Sequence, residues 1–206
     1  MQIPTGALAA ILADINGVLA ACKQHNPATA TQSANAAELA TLTQALAQLT
    51  DVMTRAESDA LSTKDSTSAD ITEIGEYAQQ LHEALSVATS QRGLSGQQLP
   101  LASLAINMAL WIAHHGGQVE TLEPVANALA LVANSSREPA ELAKLSGVIQ
   151  EIIAAVPGVI SQDLEKMNPG RPWRVLLLNH GIVATRSYDT DLMEDAFSLL
   201  CRKLPE

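Results

Sequence analysis

The run "PLASLAINMALWIAHHGG", residues 100–117, decides how this chain is read, because an apolar stretch without any acidic or basic group ends there in two histidines and two glycines. Leu101, Leu104, Met108, Trp111 and Ile112 recur at the spacing of one helical stripe. His114 and His115 then fall in the last turn, where a cationic imidazole beside unpaired carbonyls suits the helix dipole. Gly116 can take the left-handed conformation that ends a helix. Residues 99–113 are too few to cross a bilayer, and Ser103 and Asn107 interrupt them. A second reading keeps the histidines as metal ligands or acid/base groups, with Glu120 and Glu123 folding back from the next helix. Adjacent helical side chains diverge by about 100°, which argues against shared chelation, so no metal and no cofactor is expected.

Composition sets the class. Of the 206 residues 47% are hydrophobic and only 2% aromatic, so the core must be built from Ala, Leu, Ile and Val, residue usage that favours helices. A formal charge of −10 argues against a nucleic-acid or anionic-membrane surface, both of which demand a basic footprint. Cys22 and Cys201 form no disulfide framework and no CxxC motif. No basic leader precedes an apolar run at the start, where Asp14 and Asn16 interrupt residues 7–21, and a cytoplasmic protein is expected.

Upstream, three segments carry alternating steps of three and four. Leu8, Ile11, Ile15, Val18 and Cys22 form the first seam. Leu39, Leu42, Leu46, Leu49 and Met53 form the second, and Ile71, Ile74, Ala78, Leu81 and Leu85 the third. Asn35 with Glu38, and Asp70 with Glu73, have capping-box spacing. Polar, turn-forming stretches at residues 23–33 and 62–68 separate the segments. Residues 1–91 are therefore expected to form a three-helix antiparallel bundle, the second helix being the longest. "QRGLSGQQLP", residues 91–100, is the clearest boundary, with residues 92–99 as linker and Pro100 opening the next helix. Four of the five aromatics lie beyond it, Tyr77 alone before it.

Residues 100–206 hint at a repeat. Pro100, Pro139 and Pro172 each precede a helical run, and Pro205 closes the series. Seven residues after the first three prolines stand Asn107, Ser146 and Asn179, and ten after stand Leu110, Ile149 and Ile182. Breaks follow at "HHGG", "VPG" and "RSYDTD", each leading into a second, shorter run. With Gly147 and Gly181 in mid first helix and Phe197 in the last second helix, the region resembles the tetratricopeptide family of helix-turn-helix repeats. Met193 and Leu200 stand where that family places alanines. The resemblance implies stacked helical hairpins, an α-solenoid-like array that binds a protein or peptide on its concave side. The alternative is an irregular bundle whose prolines merely start helices.

Other chemical motifs are incomplete. "LHEALS", residues 81–86, begins like HExxH but has Ser86 where the second histidine belongs, and His82 reads as a polar flank of the third seam. Asp189, Asp191, Glu194 and Asp195 cluster without the glycine and spacing of a calcium loop, and suit the first turn of a helix. Residues 168–186 carry Arg171, Arg174 and Arg186 and no acid. With Trp173 they have the residue types of a binding hot spot for an acidic peptide, unless Trp173 is core and the arginines pair with Asp163, Glu165 or Asp189. The function expected is a non-enzymatic protein-interaction or scaffold module. An all-helical enzyme using His114, His115 and nearby carboxylates is one alternative. A homodimer formed through the N-terminal seams is the other.

Overall fold

The computed structural model describes residues 3–25, 32–61, 67–162, 168 and 170–204, among which there is no strand. The helices are α1 (Leu8–Gln24), α2 (Gln32–Leu61), α3 (Ser68–Gln91), α4 (Gln98–His114), α5 (Glu123–Ser135), α6 (Pro139–Ala154), the single turn α7 (Gly158–Ser161), α8 (Pro172–Ser187) and α9 (Thr190–Lys203). The chain is all-α, and α2 is the longest helix. Asp163 and Glu165, and most of the two polar breaks of the N-terminal half, lie outside the described residues.

The organising element is α4. Leu101, Ala102 and every residue from Leu104 to Ile112 are buried, so the expected single stripe is in fact burial all round. A helix apolar on every side must be surrounded. α4 packs against α1, α3, α5 and α6, and the buried apolar side chains of both sides of the 92–99 connection form one contiguous cluster. The approach to α3 is close at Gly75, where a Cβ would sit 2.5 Å from Ile112 Cδ1.

The three N-terminal seams point inward. Ile11, Ile15, Val18, Cys22, Leu46, Leu49, Met53, Ile71, Ala78, Leu81 and Leu85 are all buried within this one chain. Leu8, Leu42 and Ile74 are partly buried against the same cluster, so most of each seam is used within the chain. The caps differ from expectation. Thr67, not Asp70, caps α3: its side chain accepts from Asp70 N while Asp70 accepts from Thr67 N, and donation from the Thr67 hydroxyl, with that from Thr67 N, lowers the Asp70 carboxyl from its ordinary range. The box lies one turn earlier than expected, with Thr67 as N-cap and Asp70 at its third position. α2 is already helical at Gln32, so Asn35 lies inside it. A 3₁₀ turn at Ser95–Gln97 leads into α4, leaving Pro100 third in the helix, where no N–H is needed.

A polar knot ties the chain's start to α4. Thr5 N and Gly6 N donate to Asn107 Oδ1 at 3.0 and 3.1 Å. Asn107 Nδ2 donates to Asp14 Oδ2 at 3.1 Å, and Ser103 Oγ donates to the same oxygen at 2.9 Å. Gly6, at φ +72°, lies so close that a Cβ would meet Leu110 Cβ at 2.7 Å. Asn107 is 2% exposed, so this buried amide is held on both its faces.

Beyond α4 the proline spacing is only partly a hairpin repeat. Pro139 and Pro172 occupy the first position of α6 and α8. α4 packs on α5, and α8 on α9. The middle unit departs: among the described residues "VPG" leads to one turn, and α6 instead packs along α8. α8 also meets α5, where Asn179 Nδ2 donates to Ala126 O at 2.9 Å. Gly147 has nothing within 4 Å of a Cβ position, so close packing does not require a glycine there.

Candidate functional site

The helix-end histidines are where α4 stops. Gly116 N donates to Ala113 O and Gly117 N to Ile112 O, with Gly116 at φ +75°. This pairing satisfies the last carbonyls of the helix. A Cβ on Gly117 would lie 2.6 Å from Ile71 Cγ2, so the second glycine is needed for packing. His115 stacks on Trp111, ring centroids 4.4 Å apart, and its Nδ1–H donates to Trp111 O at 2.8 Å. His114 Nε2 lies 2.7 Å from Glu151 Oε2 at the surface, while its Nδ1 is 3.1 Å from where a Gly6 Cβ would be. Each ring is thus occupied separately. Glu120 and Glu123 are exposed, and among the described residues no three His, Cys, Asp or Glu side chains come together to hold a metal ion.

The arginine–tryptophan stretch is taken apart by the fold. Trp173 is 3% exposed and belongs to the core, and its Nε1–H has no acceptor. Arg186 places Nη1 on Ala133 O and Nη2 on Ser136 O, both at 2.9 Å. A guanidinium thereby caps the C-terminal end of α5, the charge its dipole favours. Arg171 Nη1 donates to Asn168 O at 2.9 Å. Arg174, half-buried in the first turn of α8, has polar contacts of its own. With Trp173 buried, this stretch does not present the exposed aromatic that an acidic-peptide hot spot needs. Asp189 is the N-cap of α9, accepting from Asp191 N and Leu192 N, so the acidic cluster serves a helix start.

Two histidines are interior. His82 is not a surface flank of its seam: it is buried, and its Nε2–H donates to Leu101 O at 2.9 Å, tying α3 to α4. His180 is 2% exposed with Nδ1 unpartnered. Burial pushes both imidazoles below their ordinary 6.5, against smaller opposing contributions from the Leu101 carbonyl and Glu83 for His82 and from Asp195 for His180. The unfolded chain then binds more protons than the folded one just below pH 6.5, so stability is complete above that value and falls as pH drops through the folded values. Melting temperature is expected to fall between pH 7 and pH 5, the drop setting in just below pH 6.5. His180→Leu should flatten the slope, and an unchanged slope would refute the assignment.

The surface the sequence did not single out lies on α8 and α9. α9 packs extensively on α8 alone and buries only Ala196 fully. A Cβ at Gly181 would be 3.6 Å from Phe197 Cε1, so the phenyl ring lies across the helix at this point. Phe197 remains 46% exposed, and Ile182, the residue after Gly181 in the chain, 53%. The tenth-position aliphatic of the last proline unit, Ile182, was the available signal, since its counterparts Leu110 and Ile149 are buried. Large apolar side chains exposed on one hairpin are candidates for a binding surface. Comparison with protein-family models, with curated proteins and with solved structures finds no match, and the chain fits a helical repeat only loosely.

Proposed function

We propose that this chain is a non-enzymatic interaction module that holds a protein segment against the α8–α9 hairpin. The observation that carries this reading is the exposed pair Ile182 and Phe197 on a hairpin whose outer helix packs extensively on one neighbour only. A partner segment with an apolar face would cover Ile182 and Phe197. Stacked helical hairpins bind partner segments on their surfaces, and the tetratricopeptide likeness of residues 100–206 belongs to the same reading. The partner class shifts from an acidic peptide to one with an apolar face, because Trp173 is buried and Arg186 is engaged with α5. A cytoplasmic setting is part of the proposal. An enzyme built on His114 and His115 is disfavoured, since their rings are separately engaged by Glu151 and by Trp111.

The test pairs Ile182→Asp with Phe197→Asp. Both positions are exposed, so the double variant should melt within about 2 °C of the wild type. Capture of a partner from cells that make the protein should be lost with it. If wild type and variant retain the same proteins in the same amounts, the surface lies elsewhere and the proposal fails.

A further inference from the structure

A cleft of about 410 Å³ separates α3 from the start of α5, on elements other than the α8–α9 hairpin. That is within the size range of small-molecule sites. Glu76, Glu83 and Glu123 line it, with no lysine or arginine among its lining residues. Glu76 and Glu83 stand seven residues apart on one face of α3, roughly 10 Å along the helix at 1.5 Å per residue. Glu76 is held in place, both of its oxygens 3.0 Å from Thr121 Oγ1.

The observation that sets this cleft apart is Gln79, one turn beyond Glu76. It is 5% exposed, it lines the cleft, and neither amide atom has a hydrogen-bond partner. A buried, unpaired carboxamide costs stability that an apolar residue of similar shape would not. Such a group calls for an explanation outside the fold. Beside it His82, also lining the cleft, donates Nε2–H to the Leu101 carbonyl, which fixes the tautomer and leaves Nδ1 as a lone-pair acceptor. Three carboxylates, the carboxamide oxygen and a neutral imidazole nitrogen make the cleft rich in acceptors for N–H donors, the Gln79 Nε2 amide being an unpaired donor beside them.

From this we propose that the α3–α5 cleft binds a linear organic polycation of the polyamine class, one ammonium on Glu76, another on Glu83 with Glu123 facing them, and an N–H between them on Gln79 Oε1. A compact metal ion does not fit the same donors, because among the described residues no three of these groups converge on a point. An elongated cation reaches carboxylates two helical turns apart. Its methylenes lie against Pro124 and the aliphatic stems of the lining residues.

Spermidine titrated calorimetrically into the whole protein is the probe, in about 150 mM salt so that diffuse attraction to the −10 chain is screened. Saturable one-to-one binding is expected. Glu83→Gln, at an exposed position, should weaken it about fivefold, and Gln79→Leu about tenfold while the melting temperature stays level or rises. Asp51→Asn, an exposed acid on α2, should change nothing. Non-saturating heats, equal loss in Asp51→Asn and Glu83→Gln, or displacement by equimolar magnesium would each overturn the site. Should Gln79→Leu fail to fold, Glu83→Gln against Asp51→Asn decides alone. These results are independent of capture by the α8–α9 face.

Discussion

Asn107→Leu is expected to cost about 2–4 kcal/mol of unfolding free energy, with the denaturant m-value unchanged. The replacement keeps the shape of the side chain and removes its amide. Gly6 N–H then loses its acceptor in a buried place and Thr5 N–H in a partly buried one, and Asp14 loses one of its two donors. Each buried group left unpaired costs on the order of 1–3 kcal/mol, more than the hydrogen bond itself contributes net. Asp14→Asn is the informative companion. Both donors to Asp14 converge on the single oxygen Oδ2, and a carboxamide oxygen can accept them equally. It should cost less than about 1 kcal/mol, because the knot needs an acceptor rather than a charge. Asn107→Leu within 0.5 kcal/mol of wild type, roughly the scatter of neutral substitutions, would mean that the chain's start is not fastened there.

Trp173→Ala is expected to destabilise the protein by about 3–5 kcal/mol, the range for removing a large buried aromatic. Trp173→Phe should cost far less. The indole Nε1–H is buried without an acceptor, so losing it relieves a desolvation penalty that partly offsets the smaller ring. The ordering matters more than either value, and chemical denaturation of both variants reads it. An Ala variant as stable as the wild type would place the indole at the surface and return residues 171–174 to contention as a binding patch.

What could be read from the sequence follows the reach of each physical signal. Heptad seams such as Ile11, Ile15 and Val18 were legible because amphipathic periodicity is local, and all three are buried. The end of α4 at His114 was legible for the same reason, glycine being the usual residue for the left-handed turn that follows. The knot was visible only in part. Asp14, Ser103 and Asn107 stood out as polar breaks in apolar runs, but their meeting across 89 and 93 residues is a tertiary fact. Trp173 was ambiguous because a lone Trp in an arginine-rich segment suits a core and a hot spot equally. Its fate was decided by α8 lying against α5 and α6, which no local pattern announces. In the middle unit Pro139 does start a helix, but among the described residues only Gly158–Ser161 are helical between "VPG" and α8, a length that no local pattern announces. Gln79 and His82 share the inward face of Ile71 and Gly75 at helical spacing, a signal that apolar seams alone pass over.

Binding through the α8–α9 face, rather than chemistry at the end of α4, is tested most directly by site-specific photo-crosslinking in cells that make the protein. A photoreactive side chain is placed in turn at Ile182, at Phe197 and, as a control on another face, at the exposed Asp51. One discrete protein adduct is expected from the first two positions and none from the third. Absence of any adduct at Ile182 and Phe197, or the same adducts from all three positions, would contradict it.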